Sequence, residues 1–152
     1  MNSGLQKSVR HHAPFAQRYY DLWMNAYVMP VLYKTTFHRH KEMMKEMLSG
    51  FQNIHALDIA CGNDLCEKVL DRTNTCTGLK ISSERLKEAG TLLNAENIPF
   101  DPVRGDFMHF PFRDETFRHV ICSLGLHFVP DIREAIGEAG RVMRPRAVFV
   151  CC

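Results

Sequence analysis

Between residues 13 and 33 the aromatic and aliphatic side chains Phe15, Tyr19, Leu22, Trp23, Ala26 and Tyr27 recur at steps of three and four, which places them on one face of a helix. Pro30 is expected to break or kink that helix, because it has no amide hydrogen and its ring collides with the preceding turn. A second helical segment, 36–48, sets Met43, Met44, Met47 and Leu48 among lysines and glutamates, and Gly50 is placed to stop it. Beyond Gly50 the period changes. Short apolar runs at 55–60, 75–81, 118–123 and 147–151 read as strands, with a brief extended piece at 102–104. Helical patterns at 64–70, 83–95 and 132–141 fall between them. Ser82 and Ser83 mark the start of the second of these helices, although Glu84 is not at capping-box spacing. Strands alternating with helices predict an α/β fold, a doubly wound parallel sheet of about five strands covered on both faces. The change near Ser49 and Gly50 divides the chain into an N-terminal helical cap, 1–50, and an α/β core, 51–152.

A chain of 152 residues has the size of one domain, and 45% apolar with 24% charged residues is the balance of a folded globular protein, not of a disordered or fibrous one. Lysines and arginines number 19 against 17 acids, a formal charge of +2 without the basic stripe of a dedicated nucleic-acid binder. No nucleic-acid partner is expected. No run approaches the roughly 18 to 20 apolar residues of a membrane span, and residues 1–12 lack the apolar stretch of a signal peptide. No membrane partner is expected either, and the chain reads as cytoplasmic. Six cysteines, at 61, 66, 76, 122, 151 and 152, lack paired metal-ligand spacing and read as reduced thiols, mostly buried. His38 with His40, and His11 with His12, have no carboxylate or cysteine at suitable spacing, so no metal is assigned. Cys151 and Cys152 continue a strand and are read as part of it rather than as a lipidation site.

Ligands of doubly wound sheets sit beyond the carboxyl ends of the strands, so the informative residues follow each strand. After the first come Leu57-Asp58-Ile59-Ala60-Cys61-Gly62-Asn63-Asp64, and after the second Gly78-Leu79-Lys80-Ile81-Ser82. Val103-Arg104-Gly105-Asp106-Phe107 is followed by Phe110-Pro111-Phe112, and the run from Phe117 ends in Ser123-Leu124-Gly125-Leu126-His127. Last comes Glu138-Ala139-Gly140-Arg141-Val142-Met143-Arg144-Pro145-Arg146-Ala147. The first turn alone is equally well an ordinary strand-to-helix connection. In this order and spacing, over about 56–150, the segments resemble class I S-adenosylmethionine-dependent methyltransferases, especially the group of small-molecule and quinone-biosynthesis enzymes.

The resemblance implies a Rossmann-like sheet with covering N-terminal helices and S-adenosylmethionine as cofactor. It implies a cofactor site of Asp58, Ala60, Gly62, Lys80, Ile81, Asp106, Phe107 and Ser123. In that family the acid matching Asp106 accepts from the adenine amino group and the next residue, here Phe107, packs on the ring. The family's first motif runs acid, x, Gly, x, Gly, x, Gly; Asp58 and Gly62 match it, while Ala60 and Asp64 replace the flanking glycines. Lys80 stands where the family has an acid that accepts from the ribose hydroxyls. A lysine meets ribose oxygens only as a donor, and the other reading of Lys80 is a preference for a phosphate-bearing ligand. Arg146 and Ala147 replace a glycine pair. His127 and Tyr20 are the candidate catalytic groups, with His127 read either as a base or as a packing histidine. Phe15, Tyr19, Tyr20, Trp23 and Tyr27 either line the acceptor pocket or form core.

The implied function is methyl transfer to a small-molecule acceptor. An alternative is a catalytically impaired methyltransferase-like domain that binds or regulates, which Ala60, Asp64, Lys80, Arg146 and Ala147 favour. A nicotinamide oxidoreductase fits less well, since the first turn lacks Gly-x-Gly-x-x-Gly spacing. The family sheet continues past its fifth strand through further helices and an antiparallel hairpin. This chain is therefore expected to be a fragment or shortened form, or to have its fifth-strand edge covered by a homodimer or another partner chain.

Overall fold

The structure, a computed structural model, describes residues 23–59, 65–126 and 129–152. The described residues fall into two compact units divided between Met43 and Met44. In the first, α1 (Met24–Leu32) is a wide helix in which the Tyr33 amide donates to the Val28 carbonyl five residues back, at 3.1 Å. Of the break or kink expected at Pro30 the break does not occur: Pro30 lies inside the helix, which is widened around it. Val28 and Met29 are buried, whereas Trp23 and Tyr27, at one helical step, are exposed and stack with ring centroids 6.4 Å apart. The core reading of these two aromatics is thus corrected; Phe15, Tyr19, Tyr20 and Leu22 lie outside the described residues. α2 (Phe37–Met47) spans the division between the units, opens with the Thr36 hydroxyl accepting from the Arg39 amide, and is followed by Gly50 at φ 86°.

The second unit is built from β1 (His55–Ile59), α3 (Leu65–Val69), β2 (Thr75–Lys80), α4 (Ser83–Ala95), β3 (Phe100–Arg104), β4 (Phe117–Cys122), α5 (Ile132–Val142) and β5 (Met143–Cys151). The five strands form one sheet in the order β3-β2-β1-β4-β5, and every pairing is parallel. β1 and β2 are buried on both faces after their first residues, as central strands of a parallel sheet are. β3 is longer than the extended piece read from sequence, because Pro102 is tolerated in an edge strand. β5 is longer too, but irregular: Phe117 pairs with Met143 and His119 with Val148. Arg146 occupies this irregularity at φ 66°, a conformation that favours glycine, at one of the two places where the family resemblance has glycine.

Leu57, Ile59, Leu79, Phe110, Phe117, Val120, Ala139 and Val142 form the core cluster, so β1, β2, β4 and α5 are held by one packed layer. Ser82 caps α4 by accepting from the Arg85 amide at 3.3 Å, and its hydroxyl donates to Glu84 at 3.0 Å. Asp131 caps α5 through the amides of Arg133 and Glu134. From the far end of α5, Arg141 fixes the loop between β3 and β4. Its guanidinium donates to the Phe112 carbonyl at 2.9 Å, the Phe110 carbonyl at 3.2 Å, Asp114 at 2.7 Å and both oxygens of Glu138 at 2.7 and 2.8 Å. Glu138 in turn accepts from the Phe110 amide at 2.8 Å. Among the described residues no helix is long and apolar enough to cross a membrane.

Candidate functional site

From β1 the chain steps outward to β2 and β3 on one side, then returns to place β4 and β5 on the other. The strand order reverses between β1 and β4, and the crest above their carboxyl ends is where such sheets form a ligand crevice. Asp58 lies one residue before the end of β1, in register with Gly78 of β2 and Ile121 of β4. It is 2% exposed. Cys66 and Glu67 on α3 lie close enough to act on its carboxyl, and Oδ1 has no partner among the described residues. Burial, and then the like charge of Glu67, hold Asp58 well above the usual carboxylate range, with Lys80 acting in the opposite sense. Burial and the same two acids push the Cys66 thiol up, and burial first of all pushes Cys122 up to about 12. These thiols are protonated at neutral pH and are not nucleophiles.

Lys80 is half-buried at the end of β2, in register with Arg104 of β3, and Ile81 just beyond it is 48% exposed. The Gly105 amide donates to the Lys80 carbonyl at 2.9 Å and Arg104 Nε to the Ile81 carbonyl at 3.3 Å, which ties the two strand ends together. Gly105 admits no side chain. A Cβ there would lie 2.6 Å from Leu79 Cδ1 and 2.8 Å from Pro111 Cδ. Asp106 is exposed; Oδ1 accepts from the Met108 amide at 3.0 Å, and its carbonyl accepts from the His109 amide at 3.2 Å. Phe107 is half-buried, packed against the core cluster with its ring centroid 6.4 Å from that of Phe110. Ser123, half-buried beyond β4, hydrogen-bonds the Cys152 thiol.

Asp58, Lys80, Ile81, Asp106, Phe107 and Ser123 therefore all stand at the carboxyl ends of adjacent strands. Ala60, Gly62, Asp64, His127 and Tyr20 lie outside the described residues. The residue that sequence reasoning missed is Glu67, 1% exposed, whose like charge acts on Asp58. Its one sequence signal is a spacing of three from the buried Leu70, which puts an acid on the inward face of α3. Among the described residues no group of three metal-ligating side chains comes together.

A family model described as a methyltransferase domain matches residues 57–151. A demethylmenaquinone methyltransferase of Staphylococcus aureus is 32% identical over 123 residues, which cover 76% of this chain and 51% of that protein. The chain thus spans about half the length of the curated relatives it matches. In fold it is similar to the YcgJ protein of Bacillus subtilis, with a TM-score of 0.69 at 21% identity over 75% of this chain and 50% of that one. A SAM dependent methyltransferase of Aquifex aeolicus has a TM-score of 0.60 at 14% identity, covering 69% of this chain and 58% of its own. The five-stranded parallel sheet with its switch point above Asp58, and a family match that runs from β1 to the end of β5, together show that the chain belongs to the class I S-adenosylmethionine-dependent methyltransferase family.

Proposed function

We propose that the chain binds S-adenosylmethionine along the crest of β1, β2 and β3 and supports transfer of its methyl group to a small-molecule acceptor. The observation that carries this reading is the match over 57–151, laid onto a crest whose side chains suit an adenosine end. Asp106 commits one carboxylate oxygen to its own loop and keeps the other to accept from an exocyclic amine. Phe107 beside it offers an aromatic edge backed by core, and the exposed Ile81 offers an apolar surface for the ring. Asp58, at the end of β1, supplies a buried acceptor to the same crest. Lys80 meets the ribose as a donor. The bound cofactor supplies an activated methyl group on a sulfonium; the chain's own residues hold the adenosine, exclude water and fix the direction of attack.

An acceptor of the quinone class is the first to assay, given the name of the Staphylococcus aureus relative at 32% identity. A cytoplasmic location accompanies this reading, supported by cysteines without paired spacing, of which Cys66, Cys76 and Cys122 are buried thiols. The test is calorimetric titration with S-adenosylmethionine and S-adenosylhomocysteine. Micromolar binding, weakened at least tenfold by Asp106→Ala, is expected; no binding at millimolar cofactor removes the reading, and an unchanged Asp106→Ala affinity removes the assignment of that residue.

A further inference from the structure

α1 carries apolar side chains on two faces, and one of those faces is turned to solvent. Val28 and Met29 are buried. Trp23, Ala26, Tyr27, Pro30 and Val31 recur three and four residues apart, the spacing of a stripe that helices ordinarily bury. All five are nevertheless exposed, Trp23 at 53%, Tyr27 at 48% and Val31 at 42%. The rings of Trp23 and Tyr27 stack with centroids 6.4 Å apart, so the apolar surface is continuous there and not a scatter of single residues. Such a face marks an interaction surface. Charge says what kind of partner it suits. From Trp23 to Lys41 the chain has no acid, whereas Lys34, Arg39 and Lys41 are basic, and Lys34 and Arg39 are exposed. A partner must offer an apolar phase to α1 and negative charge to the segment that follows it. A second copy of the chain would bring the same positive segment. An anionic bilayer offers both. Tryptophan and tyrosine, each with an apolar body and a polar tip, are also the side chains that settle at the boundary between headgroups and acyl chains.

We infer that α1 lies in the surface of an anionic membrane, with Trp23, Ala26, Tyr27, Pro30 and Val31 toward the acyl chains and Lys34 and Arg39 at the phosphates. Nine residues are too few to cross a bilayer, so the helix rests on it. The expectation of no membrane partner rested on the lack of a spanning run, which does not bear on contact of this kind. Each basic residue held near an anionic leaflet strengthens binding by roughly fivefold, and this contribution fades as salt rises. The apolar contribution does not fade with salt, so charge selects the membrane and the apolar face holds to it. The inference does not rest on the proposed methyl transfer.

Trp23 is the one tryptophan of the chain, so its fluorescence reports on this face directly. The experiment titrates the full chain with vesicles of phosphatidylcholine and phosphatidylserine in equal parts, and with vesicles of phosphatidylcholine alone, read by tryptophan emission and by co-sedimentation. Expected are a blue shift and sedimentation with the anionic vesicles, and binding weaker by about tenfold or more to phosphatidylcholine alone or at high salt. Val31→Asp, and separately Lys34→Glu combined with Arg39→Glu, should each weaken binding to the anionic vesicles by about tenfold or more. Acids suit the first turn of α2, where Arg39 lies, so the double variant is expected to fold, and a thermal melt checks this. Emission unmoved by the anionic vesicles overturns the inference. So does equal binding to phosphatidylcholine alone, or undiminished binding by both variants. Self-association that grows with protein concentration, without vesicle binding, gives the face to a second copy and overturns it as well.

Discussion

Two clusters of charged side chains hold opposite ends of this sheet, and they are built on opposite rules. At the lower end of α5, Arg141 lies between Glu138 and Asp114 and also donates to two carbonyls, so cation, anions and backbone satisfy one another. The Glu138 carboxyl is accordingly held down to about 2, chiefly by its hydrogen bond to Arg141. At the crest, Asp58 and Glu67 set like against like and Asp58 is driven upward. The first arrangement fixes a loop. The second carries a standing electrostatic cost, of the kind that folds retain where a ligand is to be met.

Removing Arg141 should break the first arrangement with the largest effect. Arg141→Ala leaves Glu138 facing the Phe110 amide alone and frees the loop from Phe110 to Asp114. The cluster is partly exposed, so a loss of about 2–3 kcal/mol in denaturant titrations is expected, and Arg141→Lys should recover little of it because a lysine lacks the planar fork. Next in size is Gly105→Ala, where the new methyl would press on Leu79 and Pro111. A cost of about 1–3 kcal/mol is expected, together with weaker cofactor binding, since the ends of β2 and β3 must part to admit it.

Acidity should separate the two clusters by sign. Glu138 titrates lower in the folded chain than in the unfolded one, so its stabilisation is complete above about pH 4.5 and is lost as pH falls toward about 2. Asp58 titrates higher when folded, so its penalty is absent below about pH 4 and grows as pH rises from there. Glu67→Gln should therefore match the parent in thermal melts at pH 4 and exceed it by about 1 kcal/mol at pH 8. A gain already present at pH 4 would show that packing, not charge, is responsible. The smallest effect expected is from Arg146→Gly. Relief of a left-handed arginine is partly offset by the greater freedom of glycine in the unfolded chain, leaving a gain of about 0.5–1 kcal/mol.

Element order was legible in the sequence because apolar runs of strand length alternate with helical spacing, and the Glu138–Arg141 segment could be matched to a motif before its role in holding Phe110 and Phe112 was visible. For Trp23 and Tyr27 the structure removes the core reading of the two that the sequence left open, since both are exposed at the start of α1, a helix wider than the periodicity argument assumes. β3 begins two residues before the extended piece read at 102–104, and its edge position accepts Pro102. Within the candidate site, Asp58, Lys80, Ile81, Asp106, Phe107 and Ser123 were legible because each follows a strand in an ordered series of motifs.

Local pattern by itself determined the class of fold and where along the chain the strand-to-helix turns fall, since periodicity and turn chemistry are properties of neighbouring residues. Which acids share a dielectric is not such a property. Asp58 and Glu67 are nine residues apart, and an acid in a short helix reads as solvated until packing against the sheet removes the water. Only the tertiary structure decided that both acids are buried and that Glu67 acts on Asp58, because burial and like charge act through space rather than along the chain.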